Sequence, residues 1–381
     1  MSVNSISLPA ELKQPQPFSH LVTIEPLGLL YGSAGRFLSP ENLVGRSGSS
    51  FPPSAATLSG IFAAELGGDN IKKLQLAGPF WGKCDELPDF YVSTPLNYLI
   101  EKGTSKIKYK LTWNSTLEKW TPNVNEKFEK GGWVKVYDWL KEKWEISTKV
   151  PWKPVSHLHP RLEENQRRVL VEKEREQGSL FLENGVQFDP DYCLVYLSNT
   201  EISSGWYRFG GEGHLVNIEC QPISGELEKL LSKPVGQAFA LITPAVWGSN
   251  RHSYREPMVQ KKEERNSDGF EAWKCETLLT ERPFSFRYRL GNPKNEETDE
   301  KANSKEKLLS RGRYAVPAGS VYVLKEPLSS WQEWDEALFP KEGVSFKRWG
   351  CGLALPLESA LAENPKKETA NISETLPIGG N

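Results

Sequence analysis

Apolar and polar positions alternate along most of this chain, and helical periodicity is rare. LVTIEPLGLL (21–30), KKLQLAGPFW (72–81), DFYVSTP (89–95), HLVNIEC (214–220) and QAFALITPAVW (237–247) carry the pattern of strands. YAVPAGSVYVL (314–324) and KRWGCGLALPL (347–357) read as turns feeding strands, and 271–290 alternates as well. YCLVYLS (192–198) is apolar throughout, and its pattern does not separate strand from helix. In SAATLSGIFAAEL (54–66), Leu58, Ile61, Phe62 and Leu66 fall on one helical face, Ser54 stands at the N-cap, and Gly67-Gly68 ends the helix. ELEKLLSK (226–233) predicts a short helix, and 330–339 a capped one.

Between these elements the chain changes character. Residues 1–20 are polar and proline-containing, 291–308 are charged and poor in hydrophobics, and 359–381 are polar; all three are expected to be flexible. Residues 32–53 form a Gly/Ser/Pro-rich loop carrying Arg36, Arg46 and Ser47. Residues 101–152 hold Trp113, Trp120, Trp133, Trp139, Trp144 and Trp152 among lysines and glutamates. This is the signature of an insertion with its own aromatic cluster, and packing explains it better than base stacking does. Two halves share one order: a strand opens each, and a glycine cluster running into an apolar strand closes each (GGEGHLVNI, GCGLALPL). The pattern predicts a duplicated α+β unit, with domains at 21–230 and 231–358.

Composition narrows the function. The chain has 381 residues and a net charge of −2, so contact with nucleic acid requires local basic sites, not a global positive field. Five widely spaced cysteines without a CxxC predict neither a disulfide framework nor a structural zinc site. No signal-peptide pattern opens the chain and no apolar run has the length of a membrane span, which predicts a reduced, cytoplasmic protein.

The glycine cluster in WYRFGGEGHLVNIEC (206–220) raises the question of a phosphate loop. Nothing fits GxxxxGK[ST]. Gly211 and Gly213 lack the third glycine of a dinucleotide fingerprint, and a strand follows them instead of a helix; Gly350 and Gly352 fail in the same way. GGDN (67–70) has one carboxylate, too few for a two-metal centre. His157 and His159 form HLH, a spacing open to a zinc pair that lacks a third ligand nearby in sequence, an acid/base pair, a phosphate contact or a polar turn. No cofactor or metal is expected. A basic run spans Arg161, Arg167 and Arg168, diluted by glutamates, and further cations stand beside glycines at Arg313, Lys347 and Arg348.

A resemblance sharpens this reading. Residues 35–66 (GRFLSPENLVGRSGSSFPPSAATLSGIFAAEL) are similar to the first loop and helix of the RAMP superfamily of CRISPR proteins. HPRL (159–162), QGSLF (177–181), GGEGH (210–214), LITPAVW (241–247), VPAGSVYVL (316–324) and RWGCGLALPL (348–357) follow in order, and together resemble the family of subunit 3 of the type III-B Cmr complex. The resemblance implies two ferredoxin-like (RRM-like) domains in tandem, each with a glycine-rich loop before its last strand. It implies a non-catalytic subunit of an antiviral, RNA-guided effector that holds the 5′ tag of the crRNA. Its implied partners are the large cyclase subunit and the backbone RAMP subunits. RNA contact is expected at Arg36, Arg46, Ser47, His157, His159, Arg161, Arg167, Arg168, Gly210, Gly211, Gly213, His214, Arg313, Lys347, Arg348, Gly350 and Gly352. The alternative is a metal-independent endoribonuclease of the same superfamily that processes precursor crRNA with His157 or His159 as acid/base.

Overall fold

The computed structural model describes residues 18–30, 51–160, 168–169, 180–210, 213–248, 252–259, 270–288 and 310–362. Most of the stretches expected to be flexible lie outside these residues. The first half contributes β1 (His20–Pro26), α1 (Ala55–Leu66), β2 (Leu76–Lys83), β3 (Tyr91–Ser93), β4 (Trp133–Lys135), β5 (Ile146–Ser147), β6 (Trp152–Pro160), β7 (Leu180–Phe188), β8 (Tyr192–Ser198), β9 (Gly205–Phe209) and β10 (His214–Pro222). The second contributes α2 (Glu226–Ser232), β11 (Gly236–Leu241), β12 (Cys275–Leu279), β13 (Val321–Leu328) and β14 (Ala354–Pro356).

Two larger antiparallel sheets result, with six two-stranded ribbons beside them among the described residues. The wider of the two sheets runs β9-β10-β1-β8-β2-β3-β4-β5, the narrower β12-β13-β11-β14. In the first half, β1, β2, β8 and β10 lie in the spatial order fourth, first, third, second. In the second half, β11, β12, β13 and β14 repeat that order. β6 and β7 form a separate ribbon paired over nine positions, from Trp152↔Phe188 to Pro160↔Leu180. Its base is held by a Leu30↔Val186 bridge and by Trp152 stacked on Phe188 at 5.6 Å.

The large sheet is covered on both faces. Val22, Ile24, Leu76, Trp81, Leu194 and Tyr196 join Leu58, Ile61 and Phe62 of α1 in one core. Leu21, Ala77, Phe80, Cys193, Val195 and Leu197 face the other way, into a core shared with Phe239, Trp247, Tyr322 and Trp331 of the second half. Burial on both faces explains the uninterrupted apolar run at 192–198, which is strand β8: alternation disappears when neither face meets water. The Tyr196 hydroxyl, fully enclosed, donates to Pro53 O at 2.5 Å.

Two expectations are corrected. The segment 330–339 is not one helix but two 3-10 turns, Trp331–Glu333 and Glu336–Leu338. Ser330 and Glu333 close a capping box at the first, and the Asp335 carboxylate accepts from Ala337 N–H at the second, so the backbone restarts before an α-helix can propagate. Nor is the tryptophan-rich segment a unit with its own cluster. It supplies β4 and β5 to the large sheet, and Trp113 and Trp139 belong to the core shared between the halves. Trp139 Nε1 donates to Pro356 O in β14 at 2.8 Å, and Trp113 O accepts from Ala362 N–H at 3.0 Å. Ser54 stands at the N-cap of α1 in extended geometry, but its side chain makes no capping bond.

Candidate nucleic-acid interface

The glycine turn of the first half joins β9 to β10, whose last pair is Phe209↔His214. Gly210 (φ 76°) and Gly213 (φ 67°) occupy the left-handed region, and Gly213 N–H donates to Gly210 O at 3.3 Å. A Cβ on Gly210 would meet no atom within 4 Å; one on Gly213 would meet only the Arg208 side chain, at 3.7 Å. Backbone dihedrals, not crowding, therefore demand glycine at both positions. His214 is half-buried behind the turn. Such a turn can present backbone N–H groups to an anion without side-chain obstruction. Gly211 lies outside the described residues.

The ribbon carries the HLH motif. His157 pairs with Glu183 and His159 with Phe181 along β6 and β7. Arg168 is described and exposed, whereas Arg161 and Arg167 lie outside the described residues, as do Arg36, Arg46 and Ser47.

The C-terminal candidates take a different place from the one expected of them. Lys347 is 4% exposed. Its Nζ donates to Gln332 O at 2.8 Å and to Trp334 O, and it lies 5.4 Å above the Trp331 ring. Burial pulls its pKa down to about 8, against a weaker upward pull from Glu336 and Asp335. Arg348 Nε donates to Leu74 O at 2.9 Å and Nη2 to Ile71 O, at the end of the 3-10 helix Gly68–Lys73 in the other half. Burial lowers its pKa as well. A guanidinium at a helix C-terminus meets carbonyls with spare acceptor capacity; Ile71 O also accepts from Leu74 N–H at 3.2 Å. Arg313 is enclosed with Glu342 at 2.9 Å and lies over the Phe346 ring at 5.5 Å.

The glycines between these residues are packed, not open. Gly350 (φ 67°) lies on β2, where a Cβ would run into the Ala77 backbone and come within 2.9 Å of Leu76 O. On Gly352 it would come within 2.8 Å of the Trp247 ring. The turn at 350–352 thus joins the two sheets, and its neighbouring cations satisfy protein carbonyls and a carboxylate inside that joint. The expectation that Arg313, Lys347, Arg348, Gly350 and Gly352 meet RNA is corrected on this ground.

Sequence reasoning passed over the most exposed aromatic side chain near the open turn. Trp206 on β9 is 72% exposed, next to exposed Arg208. The signal was the alternation in GWYRF, which sets Trp206 and Arg208 on the face opposite Tyr207. Among the described residues, no group of three or more His, Cys, Asp or Glu side chains could hold a metal ion. No helix among them is long and apolar enough to cross a membrane.

The chain is similar to a chain of the type III-B Cmr-beta complex bound to cognate target RNA, at 13% identity and a TM-score of 0.43, covering 80% of this chain and 86% of that one. It is similar to a chain of a Csm1–Csm4 cassette in complex with cA4, at 9% identity and a TM-score of 0.31, covering 79% and 98%. A chain of the Csm3–Csm4 subcomplex of a type III-A interference complex also matches, at 9% identity and a TM-score of 0.31, covering 81% and 94%. No curated protein matches the sequence. The model of the CRISPR-associated protein family Cas_Cmr3 matches residues 24–359, nearly the whole described chain, and the protein belongs to that family.

Proposed function

We propose that this chain is a guide-RNA-binding subunit of a type III CRISPR effector complex, with no cleavage activity of its own. Family membership over residues 24–359 carries the reading. In it, the subunit holds the 5′ tag of the crRNA, docks the large cyclase subunit and adjoins the backbone RAMP subunits. Both halves are ferredoxin-like: the shared order fourth, first, third, second, with α1 between the first two strands of the first half, supports this. RNA contact then concentrates in the first half, at the open turn of Gly210, Gly211, Gly213 and His214, along the ribbon with His157, His159, Arg161, Arg167 and Arg168, and at Arg36, Arg46 and Ser47.

A chain with a net charge of −2 grips RNA through a few phosphates, not through a general field. Three to five such contacts give log K against log salt a slope of about −2 to −4 for a single strand. Fluorescence anisotropy with tag-bearing and tagless guide RNA, across a salt series, measures this. The tag-bearing RNA is expected to bind more tightly, with that slope, and to remain intact in EDTA. Salt-insensitive binding, or none, counts against the reading. RNA cleavage in EDTA that is lost on His157→Ala or His159→Ala would replace it with the endoribonuclease.

A further inference from the structure

The face of the large sheet that packs on the second half is not covered over its whole width. On β1 and β8 this face is sealed: Leu21, Cys193 and Val195 are fully buried. Towards β9 the cover ends. Register puts Trp206 opposite Asn217, Arg208 opposite Leu215, and Asn217 opposite Glu25. Leu27 N–H, one residue beyond β1, donates to Leu215 O. Partners across an antiparallel ladder share a face, so Trp206, Arg208, Leu215, Asn217, Glu25 and Leu27 form one surface. Trp206 is 72%, Leu27 50% and Leu215 45% exposed. β9 is also the last strand of the sheet and, among the described residues, its outer edge has no partner strand. Such edges are usually blunted by proline, lysine or a bulge; this one carries a tryptophan.

We propose that this open end of the sheet docks an extended polypeptide segment of a neighbouring subunit, which pairs along β9 and sets an apolar side chain against Trp206, with Leu215 and Leu27 continuing the patch inward across the sheet. Charge selects the occupant. Glu25 and Glu219 lie on the same face, flanking Thr23 and Asn217, against the one guanidinium of Arg208. Two carboxylates repel a phosphate backbone and favour a segment carrying lysine or arginine beside its apolar residue. An exposed tryptophan and arginine beside two exposed leucines, with a polar rim, have the composition of an interface centre, and pairing by strand addition supplies the main-chain bonds.

This inference rests on the proposed function, because the partner is another subunit of the effector. The test is hydrogen exchange on residues 205–221 in three samples: the chain alone at two concentrations, the chain with guide RNA, and the effector assembled by co-expression with the large and backbone subunits. The outward amides of β9 should exchange at least tenfold more slowly only in the assembled effector. W206A, at a side chain too exposed to be needed for folding, should speed release of the chain from the effector at least tenfold and leave guide-RNA affinity unchanged. Unchanged exchange in an effector that does assemble overturns the docking surface alone. Protection of the outward β9 amides by guide RNA, as distinct from the 210–214 turn, makes the occupant RNA, and concentration-dependent protection of those amides in the chain alone makes it a second copy; both overturn the inference. Failure to assemble at all removes it together with the proposed function.

Discussion

Lys347 offers the sharpest test of the distinction between a cation that binds RNA and one that holds the fold together. It is enclosed among Gln332 O, Trp334 O and the rings of Trp331 and Phe339, with a pKa pulled from the ordinary 10.5 down to about 8. A drop of roughly 2.5 units corresponds to about 3 kcal/mol by which the folded state disfavours the charged lysine relative to the unfolded chain. The sign follows. Below pH 8 both states hold the proton and the full penalty is present. Between pH 8 and 10.5 the folded state releases its proton first, so the unfolded state binds more protons and stability rises with pH. Lys347→Met keeps the length, removes the charge, and leaves two carbonyls without a donor at about 1–3 kcal/mol each. Near neutrality these opposing contributions are of similar size, so the absolute stability of the variant is uninformative. The pH dependence of the difference is diagnostic. Urea unfolding of wild type and Lys347→Met from pH 7 to 10.5 should show wild type gaining up to about 3 kcal/mol on the variant. Subtracting the two cancels the lysines and tyrosines common to both. A flat difference would refute the burial argument. A fall in guide-RNA affinity with a salt slope shallower by about one would return Lys347 to the phosphate contacts.

The two glycine turns should respond in opposite ways. Gly350→Val drives a side chain into Ala77 and should lower stability by more than about 3 kcal/mol, or prevent folding, as read by thermal unfolding. Gly210→Val meets open space and should cost only the left-handed strain of about 1–2 kcal/mol, while weakening guide-RNA binding in the anisotropy assay. Arg313→Met removes the guanidinium from the enclosed Glu342, and should cost about 3–5 kcal/mol in urea unfolding with no change in the salt slope of RNA binding.

Local rules made some elements legible and left others hidden. α1 was visible because its apolar residues repeat at helical spacing and Gly67 (φ 57°) stops it. β10, with one wet face, alternates and was visible too; β9 alternates as well but was passed over. β8 was ambiguous because burial on both faces erased its period. The role of Arg348 was invisible for another reason: its acceptors, Leu74 and Ile71, lie 274 and 277 residues away along the chain. From sequence a cation beside glycine resembles an anion site, whatever it meets in space. The tryptophans of 101–152 posed the same problem. Nothing local says that Trp139 reaches Pro356, so a joint between halves looked like a separate insertion. Trp206 was hidden by the general habit of tryptophan, which is mostly buried; only its position on a terminal strand shows that this one is not.

The halves share a strand order, and in both a glycine turn precedes the last strand, yet the two turns have different fates. The difference follows from coverage. The large sheet needs partners for both faces; α1 supplies one and the second half the other. Closing that second face brings the 350–352 turn down onto β2 at Ala77, where only a residue without a Cβ fits. The turn at 210–213 sits at the β9 end of the same sheet, away from that contact, and a Cβ added at Gly210 would meet no atom within 4 Å. Each half thus carries a glycine turn before its last strand, and the packing of the two sheets takes up the second as a joint. Charge near a glycine turn cannot tell which is which: the C-terminal turn has the richer cations, and they are enclosed. What distinguishes a surface for RNA or for a partner here is whether the sheet face behind the turn is already occupied, and that points to the β9–β10 end.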